Sequence, residues 1–246
     1  SDSPTECSTG EWQNQTGQSS CMNASAGHYV GTNGSMNQIP CTTGTWQNQT
    51  GQSNCMNASA GHYVDTNGSA SQTPCSPGTW NNMTGQVACT NASAGHYVGT
   101  NGATSQTPCS VGTWNNMTGQ SSCTNASEGH YVDVNGSTAQ TPCGAGTYNP
   151  SNVSNSSADC GDVPAGNYSI PGSASPIPCS IGTWQNQIGQ SNCMNASVGH
   201  YVDINGSATQ TPCGPGTWNN MTGQPICTNA SEGHYVDTNG STTQTP

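Results

Sequence analysis

The residues of this sequence best equipped for chemistry are asparagines. Nineteen of them open an Asn-x-Ser/Thr triplet with no proline in the middle: Asn14, Asn23, Asn33, Asn48, Asn57, Asn67, Asn82, Asn91, Asn116, Asn125, Asn135, Asn152, Asn155, Asn167, Asn195, Asn205, Asn220, Asn229 and Asn239. That triplet is the acceptor for N-linked glycans. One alone says little, because Asn, Ser and Thr are common in turns. Here most fall at three fixed places in a repeating unit, which a scatter from composition would not produce. Asn101 and Asn186 keep the asparagine but lose the hydroxyl residue, and Asn149 is followed by Pro150. The chemistry expected is covalent attachment of N-glycans.

Cysteines form the second set: Cys7 and Cys21, Cys41 and Cys55, Cys75 and Cys89, Cys109 and Cys123, Cys143 and Cys160, Cys179 and Cys193, Cys213 and Cys227. An even, regular count points to an oxidising compartment. Zinc binding would want CxxC pairs or Cys/His clusters. The six histidines, at 28, 62, 96, 130, 200 and 234, each precede a tyrosine and have no ligand neighbour in sequence. The segments Asp65–Gly68 and Asp237–Gly240 echo a calcium loop but lack its later ligands and terminal Glu. Neither metal nor cofactor is expected.

Catalysis has no candidate residue. There is no Gly-x-Ser-x-Gly elbow and no glycine-rich phosphate loop before a helix. Asp65, Asp133, Asp203 and Asp237 share one repeat position, and Gly31 and Gly99 occupy the same place in sister repeats. A position that accepts glycine is a poor catalytic carboxylate. The chain is expected not to be an enzyme.

The elements that must position these residues repeat every 34 residues, 36 in the fifth repeat alone, opening at Cys7, Cys41, Cys75, Cys109, Cys143, Cys179 and Cys213. The expected division is a lead-in over 1–6 and repeats over 7–40, 41–74, 75–108, 109–142, 143–178, 179–212 and 213–246, a stacked array. Each repeat is itself two halves of about 17 residues, an A half with two cysteines and a B half with none. Setting Cys41 over Ala58 places Gly44 on Gly61, Trp46 on Tyr63, Gly51 on Gly68 and Cys55 on Gln72. All six Trp and all eight Tyr fall in one series, one aromatic per half. Thr-Trp and His-Tyr-Val suit short strands, and the Asn-Gly pairs suit tight hairpin turns. No 3.6-residue pattern indicates a helix. The fifth repeat diverges: its A half holds three extra residues, Tyr148 replaces Trp, and Asn167 replaces His.

The B halves lack both cysteine equivalents together, as the loss of one bonded pair would look. The expected disulfides therefore close within A halves, Cys7–Cys21 through Cys213–Cys227, rather than across B halves as in Cys21–Cys41.

Composition sets the class. The chain has 246 residues, 29% hydrophobic and 4% charged, with no Phe, Leu, Lys or Arg and a net charge of −11. A large aliphatic core is out of reach, and the cross-links stand in for it. The aromatics, as the only large apolar surfaces, are expected to form a ladder. Without a cation, nucleic acid and a polybasic membrane contact are excluded, and no run is long and apolar enough to span a bilayer. The fold class expected is all-β: small disulfide-stapled repeats of short β-hairpins in an elongated, solenoid-like rod with little hydrophobic core.

Cys-x-x-Gly-Thr-Trp, a later glycine, and Cys followed by x-x-Ala-x-x-Gly-x-Tyr resemble the ephrin-receptor-like cysteine-rich repeat. Related modules occur in tumour-necrosis-factor-receptor-like ectodomains, protist surface antigens and algal flagellar mastigoneme proteins. The chain departs from that pattern in each B half, where residues such as Ala58 and Gln72 stand at the cysteine positions. The resemblance implies an extracellular, elongated β module, EGF-like in size. The sequons and near-identical repeats point to a heavily N-glycosylated structural subunit of an extracellular fibre, an appendage or surface-coat filament. Its partners are then copies of itself and the attached glycans. The ending at Pro246, where another cysteine is due, reads as a piece of a longer array. The competing expectation is a receptor or adhesion ectodomain that binds a protein or glycan ligand through the fifth repeat.

Overall fold

A computed structural model of the chain describes residues 5–246; residues 1–4 of the expected lead-in lie outside them. The described residues form thirteen two-stranded antiparallel hairpins, with a single bridge, Tyr235–Thr245, in the last half-repeat. One short helical turn, Ser157–Asp159, lies in the fifth repeat. The fold is all-β and disulfide-stapled. The A-half hairpin pairs Thr45 with Asn57 and Trp46 with Met56. The B-half hairpin pairs His62 with Pro74 and Tyr63 with Thr73. A shift of 17 residues maps one register onto the other, so both halves fold alike, with or without a disulfide.

The seven disulfides close within A halves, each with its Cα atoms 5.7–5.8 Å apart. In B halves a hydrogen bond spans the same hairpin. Gln72 Oε1 accepts the Ser59 backbone N–H at 2.7 Å. Gln38 with Ser25, Gln106 with Ser93 and Gln210 with Ser197 do likewise. The fifth repeat lacks both partners. Pro164 stands in the serine's place, with no N–H to donate, and Pro176 in the glutamine's.

The Asn-Gly pairs do not close the hairpins. They lie inside the longer loop between His-Tyr and Thr-Pro. Gly68 has φ +72, but Val153 is the one non-glycine residue with positive φ among those described. A type I′ turn needs positive φ at both central residues, which Asn67 does not have. The pair serves the neighbouring half-repeat instead: Gly68 N–H donates to Cys41 C=O at 2.7 Å, and Asn67 Oδ1 accepts from Thr43 N–H at 3.0 Å.

Each half-repeat bonds to the next through its backbone. Gly44 N–H donates to Val64 C=O (2.7 Å), Gln47 N–H donates to Ser69 C=O (3.1 Å), and Ala58 N–H donates back to Gly44 C=O (2.8 Å). Contact also reaches the half-repeat after that. Gly44, at φ +81, lies so close to the Gly85 carbonyl that a Cβ would fall within its van der Waals shell. Glycine is therefore required there by conformation and by space.

The interior consists of small residues rather than aromatics. Cys41, Ala58 and Val64 are 0%, 0% and 2% exposed. In A halves the place of Val64 is taken by a carboxamide. Gln47 is buried, donating to Asn54 C=O (3.0 Å) and accepting from Gln49 N–H (3.1 Å). Asn81 likewise accepts from Met83 N–H (3.0 Å) but donates to His62 C=O of the preceding half-repeat (3.2 Å). The Trp and Tyr side chains are half-buried, and Tyr235 is exposed. Along extended backbone successive side chains point to opposite faces, so burying the residue after each aromatic turns the aromatic outward. The chain divides into two compact units built from the same repeats. One reaches Cys109 and includes Asn115–Cys123; the other comprises Ser110–Trp114 and Thr124–Pro246.

Candidate glycan-bearing surface

The acceptor asparagines occupy three recurring places. The first lies in the A-half loop, two residues after Trp: Asn14, Asn48, Asn82, Asn116 and Asn220. The second ends the A-half hairpin: Asn23, Asn57, Asn91, Asn125, Asn195 and Asn229. The third lies in the B-half loop: Asn33, Asn67, Asn135, Asn205 and Asn239. All sixteen are exposed.

The third group does structural work with one end of the amide. Asn33, Asn67, Asn135 and Asn205 each use Oδ1 to accept a backbone N–H from the preceding half-repeat at 3.0 Å. This orients the amide while Nδ2, the atom to which a glycan attaches, makes no hydrogen bond among the described residues. A sugar there is compatible with the fold.

The fifth repeat differs. Its three extra residues are taken up before Cys160 in a capped turn: Ser156 Oγ accepts from Ala158 N–H (3.1 Å), and Asp159 Oδ2 accepts from Asn155 N–H (3.0 Å) and Ser156 N–H (3.2 Å). Asn152 and Asn155 are exposed on this loop, beside a shallow cavity of about 390 Å³. Asn167 is not placed like the others. It is half-buried, its Nδ2 donates to Ala165 C=O at 3.2 Å, and Ser169 of its triplet is fully buried with Oγ bonded to Thr147 C=O at 2.8 Å. Asn167 thereby copies the histidines it replaces. His130 Nδ1 lies 3.0 Å from Glu128 C=O and His200 Nδ1 lies 3.1 Å from Val198 C=O. A carbonyl only accepts, so Nδ1 carries the proton. The histidines are thus tied to their own turns. Among the described residues no three His, Cys, Asp or Glu side chains converge as metal ligands would, and no helix is long and apolar enough to cross a membrane.

The tryptophans hold a feature that the sequence does not show. All six indole Nε1 atoms are buried with no hydrogen-bond acceptor among the described residues, although the residues themselves are only half-buried. What solvent reaches of each ring is therefore carbon. Beside Trp184 lies an open groove of about 460 Å³, lined by Asn186, Gln187, Gln190 and Met194 among others.

Comparison with known families fits this geometry. The family described as "Tyrosine-protein kinase ephrin type A/B receptor-like" matches residues 166–213, from the B half of repeat 5 to the first cysteine of repeat 7. The other repeats share that segment's hairpin register, and every A half its disulfide. Residues 166–213 are similar to that family, and the seven disulfides in a repeating pattern support a cysteine-rich array of ephrin-receptor-like repeats. No curated protein matches the chain. Ephrin-receptor-like repeats with this many disulfides are an extracellular type of domain.

Proposed function

We propose that this array is the protein spine of an extracellular glycoprotein filament, of the appendage, mastigoneme-like or surface-coat kind. Copies associate with one another, and N-glycans cover the surface. The chain has no catalytic role and needs no cofactor. The observation that carries this reading is the placement of the acceptor asparagines, exposed at up to three fixed places per repeat, with the amide nitrogen free of hydrogen bonds among the described residues where the oxygen is bonded. Near-identical repeats support it too, because a head-to-tail contact that does not close into a ring propagates as a filament. A glycan sheath would also cover the short strand edges that otherwise invite unwanted pairing.

A receptor or adhesion ectodomain is the second reading. It is favoured by the family match and by the fifth repeat, whose loop breaks the uniform surface. Glycopeptide mass spectrometry and electron microscopy of the native material decide between them. Glycans at most of the acceptor sites together with filaments support the first. A dispersed chain that binds a ligand through residues 149–159 overturns it. Trypsin cannot make the peptides, since there is no Lys or Arg to cut, so chymotrypsin at the Trp and Tyr series is the protease of choice.

A further inference from the structure

The three classes of acceptor differ in a way that composition does not require. Every Asn-x-Thr triplet stands two residues after a tryptophan, as in Trp46-Gln-Asn48-Gln-Thr50, whereas every other acceptor uses serine. The groove beside Trp184 lies at this same place. Asn186 lines it, but Ile188 stands where the other Trp-containing repeats have threonine. Repeat 6 therefore shows the groove without its acceptor.

Two positions that line this groove keep a constant apolar content along the chain. In repeat 6 its walls include Gln187, three residues after the tryptophan, and Met194, across the hairpin. Repeats 1 and 2 keep that arrangement, with Gln15 and Met22, and Gln49 and Met56. Repeats 3 and 7 exchange it, with Met83 and Thr90, and Met221 and Thr228. In sequence, repeat 4 follows the second pattern with Met117 and Thr124, so each Trp-containing half has one methionine at these two places, never two and never none. The fifth repeat, which has no Trp, has no Met either. A wall position that changes sides while the total stays constant is the mark of a shared space. The methionines do not fill that space, since Met83 and Met221 remain 59% exposed and Met56 39%.

We propose that this groove is the seat of the first N-acetylglucosamine of the glycan on the asparagine two residues after each tryptophan. This rests on the glycan reading above. The sugar's C–H face lies on the carbon surface of the indole, whose electron-rich face attracts it, and against the methionine. Its acetamido and hydroxyl groups meet the carboxamides of the loop, which both donate and accept. The seat covers apolar Trp and Met surface that is otherwise open to water in the A halves of repeats 1, 2, 3, 4 and 7. It also gives the glycans at Asn14, Asn48, Asn82, Asn116 and Asn220 a fixed direction, set by the sugar's own contacts.

The test uses the glycosylated, disulfide-bonded chain in three states: intact, trimmed by an endoglycosidase that leaves one N-acetylglucosamine, and stripped by an amidase that leaves none. Hydroxyl-radical footprinting read by mass spectrometry reports each tryptophan separately. Trp12, Trp46, Trp80, Trp114 and Trp218 are expected to be protected in the first two states and severalfold more reactive in the third, while Trp184 stays the same throughout. Ile188→Thr, which completes a triplet at Asn186, is expected to confer protection on Trp184. Equal reactivity in all three states, or trimmed protein that behaves like stripped protein, overturns the proposal. If the five sites are bare in native material, the glycan reading falls with it. If they are occupied and reactivity does not change, only the seat falls.

Discussion

The close approach of Gly182 to the repeat beyond it can be weighed against a matched position in the same chain. Gly182 and Gly216 occupy the same place in successive A halves, with φ +78 and +81. Each donates one backbone hydrogen bond, to Val202 and Val236, and accepts one, from Ala196 and Ala230, all at 2.8 Å. They differ in what a Cβ would meet. Among residues 5–246 nothing lies within 4 Å of a Cβ at Gly216, for which these residues hold no counterpart of Gly223, whereas at Gly182 the Cβ would be 2.9 Å from the Gly223 carbonyl carbon and closer still to its oxygen. Gly216→Ala therefore costs only the left-handed conformation, about 1 kcal/mol. Gly182→Ala adds a backbone clash that no rotamer relieves. Moving the loop aside loosens two backbone hydrogen bonds worth roughly 1 kcal/mol each and strains the packing around them, for a total of about 3–5 kcal/mol. Hydrogen exchange of the oxidised protein in mild denaturant, read peptide by peptide, measures both. Protection in repeats 6 and 7 should fall far more for Gly182→Ala than for Gly216→Ala. Equal losses would refute the argument that stacking reaches the half-repeat after next.

Three further outcomes are expected. Val153 sits at φ +64 where the other half-repeats have glycine, and it is 44% exposed. Val153→Gly should therefore stabilise the fifth repeat by about 1 kcal/mol after the extra chain entropy of glycine is subtracted, read as a shift in its denaturation midpoint. Because the B-half hairpin has the register of the A half, Ala58→Cys with Gln72→Cys should form an eighth disulfide. It should add up to about 3 kcal/mol, checked by thiol titration and denaturation; Gln72→Ala alone should cost about 1 kcal/mol by removing the bond to Ser59. Asn167 should be free of glycan in native material, in contrast to Asn152 and Asn155 on the same repeat, because its amide nitrogen and Ser169 are taken up by the fold. A glycopeptide carrying sugar at Asn167 would contradict that assignment.

Much of the architecture was legible in the residues themselves. The 17-residue offset that lays Trp46 on Tyr63 is the offset between the two hairpin registers. The joint absence of both cysteines from each B half points to the intra-half pairing that the structure has. These features are local: a strand pair and a cross-link within one half-repeat depend on spacing along the chain, which sequence states directly.

What the half-repeats do to one another depended on the tertiary structure. The Asn-Gly pairs looked like hairpin turns because that dipeptide favours tight turns. Their Asn Oδ1 and Gly N–H are instead spent on the half-repeat before, which leaves His-Tyr to pair with the distant Thr-Pro. The aromatics are expected to form a ladder because nothing else in the composition is large. Backbones that approach as closely as Gly44 and Gly85 leave room inside only for Cys, Ala, Val and a bonded carboxamide, so the rings are turned outward. The groove beside Trp184 follows from that outward turn. In the sequence its one trace is a methionine that changes places with a glutamine or threonine seven residues away. Sequence determined the repeating unit and its staples, because these rest on local spacing; the stacking decided which glycines meet, which side chains are buried and which asparagines face outward, because contacts across a full repeat exist only once the backbone has closed on itself.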